Sequence, residues 1–160
     1  MSSTRNKTLF IIFFLLLLSL FSAYIIEYAL GHEPCKLCIY QRYPYYISLI
    51  LLLNIFLLKK YIRLTLLILS LVSICGSIIA FYHFGIEQGF FNESFVCETK
   101  SFNTELSKED ILKQLKKNTI SCKEVTFAIF GVSLASINTI FSFVLFCIFF
   151  NIFKKYENYK

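Results

Sequence analysis

The sequence predicts an all-α membrane protein: a four-transmembrane-helix bundle with a short interfacial helix in its second outer loop. Three observations lead there. Hydrophobic residues make up 57% of the 160 positions and the mean hydropathy is +0.66, well above what a soluble domain carries. The apolar residues gather into four stretches, Thr8 to Ile26, Tyr43 to Leu58, Leu64 to Ile86 and Val125 to Phe153, with charged segments between them. The basic residues collect at alternate ends of those stretches.

Each stretch must be helical, because lipid offers the backbone no hydrogen-bond partner and the segment has to satisfy its own amides. Thr8 to Ile26 follows Arg5 and Lys7; its apolar core is long and no small-residue cleavage site follows, so it reads as a span and not as a signal peptide. The second stretch is short for a span of roughly 20 residues and borrows Ile39 to Gln41. The fourth is long and begins with an interfacial turn before Gly131. The expected spans are therefore about 8–28, 40–58, 64–86 and 127–153, with outer loops over about 29–39 and 87–126, all in a single domain of residues 1–160.

Charge sets the orientation. Arg5 and Lys7, then Lys59, Lys60 and Arg63, then Lys154, Lys155 and Lys160 flank one side of the expected membrane and meet only Glu157. By the positive-inside rule both termini and the middle link are cytoplasmic, which leaves the other two loops outside. The formal net charge of +6 thus reports topology. No basic stripe interleaved with aromatics lies outside the apolar stretches, which argues against nucleic acid as a partner.

The second outer loop is the only sizeable polar stretch. Ser107 and Asp110 have capping-box spacing, and Leu106 and Ile111 are placed as a hydrophobic staple, so a short helix should start at Lys108. Ile111, Leu112 and Leu115 give it an apolar side suited to lying on the membrane, and Lys113, Lys116 and Lys117 stand near its end. Cys97 and Cys122 flank it with 24 residues between them. A bond between them would restrain the loop, whatever else it did.

With this topology four of six cysteines, Cys35, Cys38, Cys97 and Cys122, face a compartment where disulfides persist, the periplasm in a bacterial inner-membrane protein. Cys75 and Cys147 fall within apolar spans and read as inert packing residues. A four-cysteine zinc site is disfavoured, since tetrahedral zinc usually shows two close pairs and here only one exists, so no metal is expected. That pair is the densest chemical signal: Pro34-Cys35-Lys36-Leu37-Cys38-Ile39-Tyr40-Gln41-Arg42. Two residues between cysteines let a disulfide close and reopen, and such pairs often have a lowered thiol pKa. Were the segment helical, Arg42 would lie one turn from Cys38 and stabilise a thiolate there, although Pro44 favours a helix that starts near that point.

Three runs together carry a family resemblance: Cys35 to Arg42; Tyr82-His83-Phe84-Gly85-Ile86-Glu87-Gln88-Gly89, leading to Cys97; and Cys122-Lys123-Glu124, leading into Phe130-Gly131-Val132-Ser133-Leu134-Ala135. They resemble the disulfide bond formation protein B (DsbB) family, over nearly the whole chain and in matching order. The resemblance implies a quinone-linked thiol oxidoreductase of the bacterial inner membrane. It would reoxidise a soluble periplasmic thiol oxidase of the DsbA type and pass the electrons to a membrane quinone, ubiquinone or menaquinone. By motif position, Cys97 and Cys122 would meet the partner, with Cys97 the sulfur attacked. Cys35 and Cys38 would be the membrane-proximal pair, with Cys38 facing the quinone, Arg42 supporting the thiolate and the quinone oxygen, and His83 helping to bind the quinone. Glu87 reads as a solvated loop carboxylate. Two other readings stay open: a noncatalytic scaffold whose loop disulfides are structural, and a quinone-linked oxidase serving a dedicated partner. A reductase of the vitamin K epoxide type also shares spans and a Cys-x-x-Cys, but the position of this pair, before the second span with arginine following, favours the DsbB type.

Overall fold

The computed structural model describes residues 3–58, 61–92, 122, 128–129 and 131–157. Helix α1 (Ser3–Tyr24) runs into a π-helical turn over Ile25–Ala29. A short helix α2 (Lys36–Tyr40) and a two-residue turn lead to α3 (Tyr43–Leu58), which is followed by α4 (Ile62–Glu87). Strands β1 (Ala128–Ile129) and β2 (Val132–Ser133) form an antiparallel hairpin, pairing Ala128 with Ser133 and Ile129 with Val132. Helix α5 (Leu134–Glu157) closes the described chain. Cys97 and the helix expected from Lys108 lie outside the described residues.

Three helical segments, Arg5–Ala29, Ile62–Glu87 and Leu134–Lys155, are long and apolar enough to cross a membrane. Helix α3 is apolar but has only 16 residues, about 24 Å at 1.5 Å per residue, against a hydrocarbon core near 30 Å. The last helix begins at Leu134 and not near residue 127, because the hairpin turns on Gly131, whose φ of +81° suits a residue without Cβ.

The four long helices pack around one apolar core. Leu9, Ile12, Leu16 and Leu20 recur every three or four residues and so form one stripe of α1. That stripe meets Leu52 and Ile55 of α3, Leu66 and Leu69 of α4, and Leu145 and Phe149 of α5. Large apolar side chains such as Ile11, Leu18, Phe21, Ile50 and Ile78 point outward, as a lipid-facing surface requires. Helix α4 packs chiefly on α5 through small residues: Ser73, Gly76, Ser77 and Ala80 are all buried. A Cβ on Gly76 would stand 3.1 Å from Cβ of Pro44, so the first turn of α3 approaches as far as a glycine allows. The serine hydroxyls are satisfied internally, Ser73 donating to the Leu69 carbonyl at 2.8 Å and Ser77 across to the Thr139 carbonyl at 3.2 Å.

Helix α4 ends in a Schellman motif that shapes one end of the bundle. Gly89 N–H donates to the Ile86 carbonyl at 3.0 Å and Phe90 N–H to the Gly85 carbonyl at 2.8 Å, with Gly89 at φ +77°. Phe91 then folds back over Gly85, where a Cβ would stand 2.1 Å from the ring, and stacks on Tyr82 with centroids 5.6 Å apart. This fold-back closes over the last turn of α4, which carries His83 and Glu87.

Candidate functional site

Cys35 caps α2. Its backbone is extended (φ −66°, ψ 164°) and its Sγ accepts the Cys38 amide N–H at 3.2 Å, which brings the two sulfurs to 2.8 Å from each other. The tertiary fold adds His83, whose Nε2 lies 3.5 Å from Cys35 Sγ. Both Cys35 and His83 are 3% exposed. The hydrogen bond from Cys38 and the nearby imidazole outweigh burial and lower the Cys35 thiol to about 5. The same contact, together with burial and the charge on Cys35, pushes the Cys38 thiol well up. In the reduced pair, then, the single negative charge rests on Cys35 and Cys38 donates its proton to it.

This differs from the expectation that Arg42 stabilises a thiolate on Cys38. Residues 41 and 42 form the turn between α2 and α3, so Arg42 does not continue the Cys38 helix. Its guanidinium donates to Glu27 Oε2 at 2.6 Å and lies 5.1 Å from the Tyr24 ring centroid, beside the π-helical end of α1. Tyr24 in turn meets the Tyr46 hydroxyl at 2.5 Å. Glu87 also departs from the sequence reading: it ends α4 and is not a solvated loop carboxylate. Its side chain is 6% exposed, with Oε1 3.6 Å from His83 Nε2 and Oε2 buried with no hydrogen-bond partner among the described residues.

Cys122 is fully buried and disulfide-bonded, and it packs with Cys35, Leu37 and Ile86 in one small apolar cluster edged by Cys38 and Tyr82. The backbone of Cys122 also reaches His83. As a disulfide sulfur it is no thiolate ligand. Cys35, Cys38 and His83 still bring three donor atoms within 4.8 Å of one another. On the other side of the pair lies a cavity of about 390 Å³ between α1, α3 and α5. Cys38, Arg42, His83 and Glu87 line it, and Cys35 does not. Its remaining wall is largely apolar, with Leu15, Leu18, Ile137 and Phe141.

Profile comparison matches residues 5–152 to the family described as Disulfide bond formation protein DsbB. The chain belongs to the DsbB family. It shares with that family a membrane-helical architecture and the chemistry of a disulfide oxidoreductase. This DsbB-family chain is also 27% identical, over 131 residues, to an uncharacterized protein, RP370, of Rickettsia prowazekii (strain Madrid E). The match covers 81% of this chain and 76% of that one. No solved structure matches it.

Two residues beside the pair in this DsbB-family chain escaped the sequence reading. Gln41 Nε2 meets His83 Nδ1 at 2.8 Å, and its Oε1 accepts Asn138 Nδ2 at 2.6 Å. One signal was present: a carboxamide within an otherwise apolar stretch is costly unless partnered, which marks Asn138 in α5 together with Asn54 and Asn151. Cys75 and Cys147 are free and stand apart from this site.

Proposed function

We propose that this protein reoxidises a soluble periplasmic thiol oxidase of the DsbA type and passes the electrons to a membrane quinone. One observation carries the reading: the Cys35–Cys38 pair stands between a buried disulfide sulfur, Cys122, and an apolar cavity walled by Cys38. A dithiol with one face toward protein sulfur and the other toward a lipid-like pocket is arranged to relay electrons and not to staple a loop.

The exchange steps follow from the sulfurs. A partner thiolate attacks Cys97 and frees Cys122 as the leaving thiolate. Cys122 then attacks Cys35, its neighbour in the buried cluster, and Cys38 leaves as a thiolate on the cavity side. The partner's second thiol resolves the mixed disulfide, so the partner becomes oxidised and two electrons stay in this protein. Cys97 then attacks Cys122 of the Cys35–Cys122 bond, so the Cys97–Cys122 disulfide re-forms and Cys35 leaves as a thiolate, a role that its low thiol value suits.

The cavity fits a quinone. Its volume of about 390 Å³ and its apolar wall suit a flat ring with an isoprenoid tail; Arg42 would supply a donor for a ring oxygen, and His83 forms part of the wall beside it. When bound, a quinone supplies a two-electron, two-proton acceptor. Such an acceptor is needed on energetic grounds: DsbA-type oxidants lie near −120 mV, and each ~30 mV contributes about 1.4 kcal/mol for a two-electron couple. Arg42, always charged and anchored by Glu27 on the cavity wall, would hydrogen-bond an anionic oxygen there.

In this reading the protein sits in the bacterial inner membrane with four spans, both termini cytoplasmic and the cysteine loops periplasmic. Helix α3, extended by residues 39–41 at its outer end, makes up the second crossing. The test is anaerobic quinone reduction by the purified protein with a reduced DsbA-type partner, comparing wild type with Cys38→Ser. Reduction that needs both the partner and Cys38 is the expected result. Full turnover by Cys38→Ser would sink the relay. No reduction by a folded wild type, with a proven partner and both ubiquinone and menaquinone tried, would favour a dedicated partner or a structural loop disulfide.

A further inference from the structure

Between His83 and the interior of the bundle runs an unbroken line of buried and half-buried polar contacts. His83 Nδ1 meets Gln41 Nε2 at 2.8 Å, Gln41 Oε1 accepts Asn138 Nδ2 at 2.6 Å, the Tyr45 hydroxyl donates to Asn138 Oδ1, and Ser142 Oγ lies 3.1 Å from the same Tyr45 hydroxyl. Gln41 and Tyr45 are 7% exposed and Ser142 is 3% exposed, while Asn138 is half-buried on the wall of the cavity.

The line has a direction. A carboxamide nitrogen only donates and its oxygen only accepts. Tyr45 gives its proton to Asn138 Oδ1, the Asn138 amide nitrogen faces Gln41 Oε1, and the Gln41 amide nitrogen faces His83. Nδ1 is therefore an acceptor and carries no proton. The proton of the neutral ring sits on Nε2, which faces Cys35 Sγ at 3.5 Å and Glu87 Oε1 at 3.6 Å, both acceptors.

We propose that Gln41 and Asn138 are positioning residues that hold His83 as the Nε2–H tautomer, with that N–H aimed at Cys35. His83 is then a donor to the Cys35 sulfur and not a base that takes its proton, since Nε2 is already occupied. Asn138 exerts this control through Gln41, on a different helix from the ring it governs. The inference deepens the redox reading and rests on it for its catalytic meaning: a fixed N–H stabilises Cys35 whenever that sulfur leaves as a thiolate. The tautomer itself needs no partner and no quinone.

The experiment is nitrogen NMR of the oxidised full-length protein, labelled with 15N-histidine in lipid nanodiscs. The His83 signals are identified as those absent from a His83→Gln sample, which leaves only His32. Wild type should show an unprotonated Nδ1 and a protonated Nε2. Asn138→Asp presents only acceptors to Gln41, so the Gln41 amide must turn over and place its oxygen on the ring. In that variant Nδ1 should become protonated, as it should in Gln41→Glu, where the acceptor faces the ring directly. A protonated Nδ1 in wild type overturns the inference, and this holds even if neither variant folds. An unprotonated Nδ1 in a folded Asn138→Asp protein, alongside a protonated one in Gln41→Glu, overturns the role of Asn138. Wild-type spectra as expected, with no quinone reduction under any condition, would leave the tautomer standing and count against the redox reading instead.

Discussion

At the scale of single residues the site is a set of short-range contests over protons and charges. Cys35 wins the negative charge of the reduced pair because the Cys38 proton and the His83 ring both face it. Its folded value of about 5 lies below the ordinary 9.0, so the thiolate is present at neutral pH and is lost as pH falls through about 5. The reduced fold gains stability from this as pH rises from about 5 to 9.0, and loses it on acidification. Thiolate absorbance of the reduced protein should follow that course, and Cys38→Ala, which removes the largest cause, should move the transition upward. A transition near 9.0 in wild type would contradict the geometry. Arg42 invites a second measurement. A charged hydrogen bond is worth about 1.5–3 kcal/mol, so Arg42→Ala should raise the KM for quinone by roughly ten- to a hundredfold. An unchanged KM would remove Arg42 from the cavity's function. Cys75→Ala with Cys147→Ala should leave turnover near wild type, since neither sulfur reaches the site.

At the scale of elements, close helix approach carries the architecture. Gly76 lets α4 lie against the first turn of α3, and Pro44 occupies the space that a side chain would need. Gly76→Leu should overpack this contact and cost about 1–3 kcal/mol, read as a lower melting temperature in detergent. An unshifted melting curve would mean that the helices give way freely there. The same approach positions chemistry, because α3 brings Tyr45 to Asn138 and Ser142 of α5. Sequence reasoning identified the long helices but missed the hairpin over Ala128–Ser133, for a physical reason. Ala128, Ile129 and Val132 are as apolar as the helix that follows, so hydropathy alone runs through the turn.

The whole molecule separates two environments around one dithiol. Protein sulfur lies on one side of the Cys35–Cys38 pair and a largely apolar cavity on the other, and the bundle holds both in place. The proposed topology puts that end of the bundle in the periplasm. Alkaline phosphatase, active only where its disulfides can form, should be active when fused after Gly31 or Gly89 and inactive when fused after Tyr61 or Lys160. The reverse pattern would overturn the orientation drawn from Arg5, Lys7, Lys59, Lys60 and Arg63.

What the sequence determined by itself is what local spacing and length can encode. Runs of apolar residues specify helices, because lipid leaves the backbone no alternative. Cys35 and Cys38 specify a closable pair, because only two residues separate them. The tertiary structure decided the surroundings of that pair. Cys35 and His83 are 48 residues apart in sequence and Gln41 and Asn138 are 97 apart, and no local pattern relates them. Their pairing depends on how α2, α3, α4 and α5 pack, and a buried polar atom finds its partner only after the helices have met. Packing also sent Arg42 to Glu27, 15 residues back in sequence, while the low thiol value of Cys35 rests first on its sequence neighbour Cys38 and then on His83, which only the tertiary fold brings near.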